Sequence, residues 1–90
     1  MGNEISHEEY LYQAECATCN IKKELLRAKE LFPEFYNSSH EALAVIREEY
    51  VEFEQEVFKN PRKVDYDLNK RQKEEVTQLA AMCLRFLVEL

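Results

Sequence analysis

The chain has 90 residues and a formal charge of −6, from 12 Lys and Arg against 18 Asp and Glu, with one Gly and two Pro. A 46% hydrophobic content excludes a disordered chain, and the shortage of turn formers excludes an all-β fold. No apolar run reaches the roughly 20 residues of a transmembrane helix. The opening MGNEISHEEY lacks a signal peptide's basic start and apolar stretch, and the acidic balance disfavours duplex nucleic acid as a partner. A single cytoplasmic domain over residues 1–90, away from the membrane, is the expectation.

Three helices are legible. Ser6 with Glu9 three places on is a capping-box pattern, and Tyr10, Ala14, Ala17, Ile21, Leu25, Ala28 and Phe32 recur every three or four residues. Pro33 disfavours helical geometry at Phe32, so the spacing predicts a helix over about 7–31. Ser38 with Glu41 opens a second helix, whose apolar stripe is Leu43, Ile46, Tyr50, Phe53 and Val57; Asn60-Pro61 ends it. Asp65 or Asp67 can cap a third, with Val76, Leu79, Ala80, Cys83, Phe86, Leu87 and Leu90 on its buried side. The predicted fold is all-α, with helices two and three forming an antiparallel hairpin. Three amphipathic helices leave one side of a four-helix bundle unfilled, and a chain this short builds a meagre core, so oligomerisation is expected to complete it.

Cys16 and Cys19 form a C-x-x-C, but neither a second such pair nor paired histidines complete a closed zinc site. With Cys83 they read as reduced thiols, and for Cys16 and Cys19 buried, small apolar side chains are the ordinary use, with redox or metal binding as the alternative.

Helix two carries Glu48-Glu49-Tyr50-Val51-Glu52, and helix three Glu75-Val76-Thr77-Gln78. Sixteen Glu in 90 residues make solvated helix surface the ordinary use of any one of them. Position separates these: at about 100° per residue, Glu49 and Glu56 fall just beside the helix-two stripe, with Glu52 further round. Glu75 falls next to Phe86, with Gln78 beyond it. Packed antiparallel, the two edges face each other, and Glu49, Glu52, Glu75 and Gln78 offer oxygen ligands to one hard cation. Mg²⁺ suits such a set.

Lys59, Arg62, Lys63, Lys70, Arg71 and Lys73 are six of the 12 cations, gathered between the two acidic motifs. Lys70, Arg71 and Lys73 lie near a helix N-terminus, against the dipole, a placement that phosphate binding accounts for; a solvated charge run is the alternative. Tyr36, Tyr50 and Phe53 are candidates for stacking on a base, although Tyr50 and Phe53 fit the core stripe. His7 and His40 fall near helix starts, as surface residues. The only glycine is Gly2, so there is no Gly-rich phosphate loop.

E-E-x-x-E at 48–52, a spacer over 53–74, and E-x-x-Q at 75–78 running into Leu79-Ala80-Ala81 together resemble the MazG-like all-α nucleoside triphosphate pyrophosphohydrolases. That family's pattern is E-E-x-x-E, a spacer and E-x-x-D within a helical hairpin, and the resemblance covers about residues 39–90. It implies a homodimer or homotetramer built on four helices. It also implies hydrolysis of an NTP or dNTP to the monophosphate and pyrophosphate, dependent on Mg²⁺ with Mn²⁺ as a substitute. Carried over by position, Glu49, Glu52 and Glu75 become metal ligands, and Gln78 stands where the pattern has Asp. Glu48 or Glu52 would orient or deprotonate the attacking water, and Lys59, Lys70, Arg71 and Lys73 are candidates to hold the phosphates. An amide at 78 brings no charge and cannot act as a base, so a weakened relative is equally implied; Glu56, one turn beyond Glu52, is a possible substitute ligand. The reading from a different class is a catalytically silent helical module for self-association or for a partner.

Overall fold

A computed structural model describes residues 4–59 and 66–90, and all of its regular structure is helical. Asn60-Pro61, Arg62, Lys63 and the Asp65 cap lie outside the described residues. Helix α1 spans His7–Leu31, α2 spans Ser39–Val57 and α3 spans Tyr66–Glu89, which places Asp67 inside a helix and not at its cap.

Local chemistry sets the ends. The Ser6 hydroxyl accepts from the Glu9 N–H at 3.1 Å, and Ser38 accepts from the Glu41 N–H at the same distance. Glu41 reaches back one residue further than a capping box requires, taking the N–H and side-chain amide of Asn37 at 3.1 and 3.0 Å. Phe32, held before Pro33, leaves helical geometry at φ −132°, ψ 77° and closes α1.

Helix α3 is the centre of the fold. It packs against α1 and α2, which make no packed contact with each other among the described residues. Glu56 meets Arg71 and Gln72 while Glu49 and Glu52 meet Glu75, so α2 and α3 run antiparallel as a hairpin. Lys29 near the end of α1 meets Glu89 near the end of α3, so those two run parallel.

The interior is thin. Tyr36, Ala42, Ala81, Met82 and Arg85 are buried, and no large side chain is completely so. The firmest tie is polar. Glu89 accepts from Lys29 Nζ at 2.8 Å, Arg85 Nε at 3.0 Å and the Tyr36 N–H at 2.7 Å. Arg85 lies 3.8 Å from the centre of the Tyr36 ring and donates to the Glu34 carbonyl. Burial works to raise the Glu89 pKa, but these donors outweigh it and hold the group below its ordinary value.

The helices are rotated relative to the faces their sequences advertise. In α2 the protected residues are Ala42, Val45, Ile46, Glu49, Glu52, Phe53 and Glu56. That face is turned about a quarter of a circle from the Leu43/Tyr50/Val57 stripe, whose members are exposed. In α3 Val76, Cys83, Leu87 and Leu90, predicted to be buried, are exposed instead, and Met82, Arg85 and Glu89 take the interior. The displacement has the same sense in both helices. In an antiparallel pair it therefore brings both apolar stripes out on one side of the hairpin, opposite the side where α1 crosses Gln78 and Arg85. In α1 the seam begins only at Ile21: Tyr10, Ala14 and Ala17 are exposed, as is Phe32. Cys16 and Cys19, on the side opposite the Ile21/Leu25/Ala28 face that meets α3, are exposed too, as is every residue of α1 from His7 to Asn20. All three cysteines thus depart from the buried role predicted for them.

Candidate metal centre

The quarter-turn rotation carries the glutamates of α2 into the helix seam. Glu49 and Glu52, one turn apart on α2, and Glu75 on α3 each bring a carboxylate oxygen within 4.8 Å of the others. Glu49 Oε2 and Glu75 Oε2 are buried with no hydrogen-bond partner among the described residues. Desolvation and the like charges of Glu52, Glu75 and Glu48 push the Glu49 carboxyl up to about 7. Burial, then Glu52, Glu56 and Glu74, also raise Glu75. Two desolvated, unsatisfied carboxylate oxygens beside a third carboxylate form a hard, all-oxygen donor set whose mutual repulsion a divalent cation relieves. The residues fit such an ion.

Glu56 belongs elsewhere. It accepts from Lys59 Nζ at 2.7 Å and Arg71 Nε at 3.3 Å, and its pKa is lowered, first by the Lys59 hydrogen bond. These pairs occupy Lys59 and Arg71, both still exposed, and engage the acid that was the candidate substitute for an aspartate at 78.

Glu49 also lines a cleft of about 450 Å³ that opens between α1 and α2 over α3. Glu48 and Gln78 line it with Glu49, and so do Phe32, Phe35 and Tyr36. Tyr36 is not available for stacking on a ligand: its ring carries Arg85, and its hydroxyl lies 3.7 Å from Met82 Sδ. Tyr50, exposed and donating to Glu54 at 3.4 Å, is absent from the cleft lining, as is the half-buried Phe53. A shallower groove of about 730 Å³ between α1 and α3 shares Glu24, Arg27 and Gln78 with the first and is lined by Lys23, Lys70 and Lys73.

Of the four predicted phosphate contacts, then, Lys70 and Lys73 face a groove. Lys23 and Arg27, which the motif reading passed over, join them there, with Arg27 held by Glu24 at 2.6 Å. Their i,i+4 spacing on α1 was the available signal, and it needed the packing of α1 on α3 to be read. His7 and His40 are exposed, as expected. No protein-family model, curated protein or solved structure matches the chain.

Proposed function

We propose that the chain is a Mg²⁺-dependent nucleoside triphosphate pyrophosphohydrolase of MazG-like type, or a weakened relative, working as a cytoplasmic homodimer or homotetramer. The observation that supports this reading is the convergence of Glu49, Glu52 and Glu75, with two buried carboxylate oxygens lacking partners. Those three residues hold the cation, with the Gln78 amide oxygen as a neutral fourth donor. Bound Mg²⁺, for which Mn²⁺ can substitute, polarises the phosphate and makes water a better nucleophile. Glu48 or Glu52 orients that water and takes its proton. Lys70 and Lys73, with Lys23 and Arg27 along the adjoining groove, offset charge on the triphosphate. Glu24 already neutralises part of Arg27, which leaves the lysines as the main anion contacts.

The test is to incubate the protein with a panel of NTPs and dNTPs in Mg²⁺ or Mn²⁺ and assay pyrophosphate. Product formation lost in Glu52→Gln is expected; no product together with no cation-dependent nucleotide binding removes the enzyme reading. One observation favours the second reading, a silent helical module: the apolar stripe of the hairpin opposite α1, with Leu87 at 77% and Tyr50 at 50% exposure, suits a partner helix. Melting with and without Mg²⁺ separates the two. A site that binds only the folded state adds about 2.7 kcal/mol at 100-fold excess over Kd, and the module reading gives no shift.

A further inference from the structure

We propose that Cys16 and Cys19 are half of a tetrathiolate zinc site, which two copies of this chain complete between their α1 helices. Both thiols are exposed and free, three residues apart on the face of α1 turned away from α3. At that spacing both sulfurs reach one metal at about 2.3 Å, the ordinary Zn–S distance, without unwinding the helix. A closed structural zinc site takes four ligands, and one chain supplies two here, so the site is complete only when a second copy adds its own pair.

The helix that carries the pair lacks a partner of its own. From His7 to Asn20 every residue of α1 is exposed, including Tyr10, Leu11 and Tyr12 at 62–66%. An isolated helical arm of this length, about 21 Å, is marginal in water. Tyr12 precedes Cys16 by one turn on the same face, so an α1–α1 contact centred on the metal buries apolar surface as well. Zinc takes the place of four thiol protons, and the resulting four thiolates around one Zn²⁺ carry two excess negative charges. This site shares no residue with the acidic triad and does not rest on the proposed hydrolase activity.

The experiment titrates the reduced 90-residue chain with Co²⁺, a spectroscopic stand-in for Zn²⁺, in a Glu49→Gln background so that the acidic site does not compete. The expected result is one Co²⁺ per two chains, with the intense thiolate charge-transfer and tetrahedral bands of an S₄ site and a metal-dependent doubling of mass in sedimentation. Zn²⁺ should displace the cobalt. Cys16→Ser and Cys19→Ser should each abolish all of this, and Cys83→Ser none of it. In the unsubstituted protein Zn²⁺ should protect Cys16 and Cys19 from alkylation and leave the rate at Cys83 unchanged, a readout that does not depend on any variant folding. One metal per chain, fewer than four thiolates, no change of mass, or alkylation of Cys16 and Cys19 that Zn²⁺ does not slow would overturn the proposal.

Discussion

At Glu49 a carboxylate is held where its charge is costly. Its ordinary value is 4.5, and burial among Glu52, Glu75 and Glu48 raises it to about 7 in the folded chain. Between those values the folded protein keeps a proton that the unfolded chain has released, so stability falls as pH rises from 4.5 to about 7 and levels off above. With allowance for solvent screening, the loss is on the order of 1–2 kcal/mol. Glu49→Gln should remove that slope from a series of thermal melts, raise the metal-free melting temperature at pH 8, and eliminate any Mg²⁺-induced shift. A variant that kept a Mg²⁺ shift of wild-type size would show that Glu49 is not a ligand. Gln78→Glu argues the same physics in reverse. A further carboxylate one turn from Glu75 should lower the metal-free melting temperature and tighten Mg²⁺ binding about tenfold, read by calorimetric titration.

The residues of this cluster were legible because spacing along a helix fixes which side chains share a face. The pairing of Arg71 was not legible. Its partner Glu56 looked like part of the acidic edge, and only the antiparallel register sets Arg71 beside it, whereas the Lys59–Glu56 pair is a local i,i+3 contact that spacing alone gives.

Helix ends and helix faces differ in how local their causes are. Ser6, Ser38 and Pro33 act within four residues, so the boundaries of α1 and the start of α2 follow from sequence alone. The face a helix buries depends on its neighbour. Periodicity finds the most apolar stripe, and in α2 and α3 that stripe is turned about a quarter of a circle from the one that packs. One charge interrupting the apolar run of α3 was the clue: Arg85 is buried although Leu87 and Val88 beside it are exposed.

The knot around Arg85 carries a prediction of its own. Glu89→Ala strips Lys29, Arg85 and the Tyr36 N–H of their acceptor together, leaving a buried guanidinium without its carboxylate. Chemical denaturation should show a loss of about 3 kcal/mol. Because the Glu89 pKa is depressed, the stabilisation it provides is present above its unfolded value and lost as pH falls through the folded one. Acid unfolding of the wild type should therefore be steeper than that of the variant. A loss below about 0.5 kcal/mol, the range of ordinary surface changes, would mean that the knot does not hold α1 to α3.

For the molecule as a whole, the quarter-turn rotation has two consequences, and they share one cause. Turning the glutamates of α2 inward creates the acidic seam, and the same turn leaves Leu43, Tyr50, Val57, Val76, Leu87 and Leu90 on the outer side of the hairpin. A small all-helical chain with no large side chain completely buried gains most from covering that side with further helices. Two hairpins meeting there make four helices, the arrangement that the length and patterning of the sequence led us to expect. Tyr50→Lys and Leu87→Lys test it. Both side chains are at least half exposed in the single chain, so neither substitution should unfold it by itself, with changes within about 0.5 kcal/mol. Each places a charge within the proposed interface, and both combined put four cations into a symmetric dimer's contact. Sedimentation equilibrium should find the wild type at twice or four times the chain mass and the double variant at the single-chain mass, with helical circular dichroism retained. A wild type that stays monomeric at high micromolar concentration would leave this apolar face to a different partner, and the four-helix assembly with it would fall.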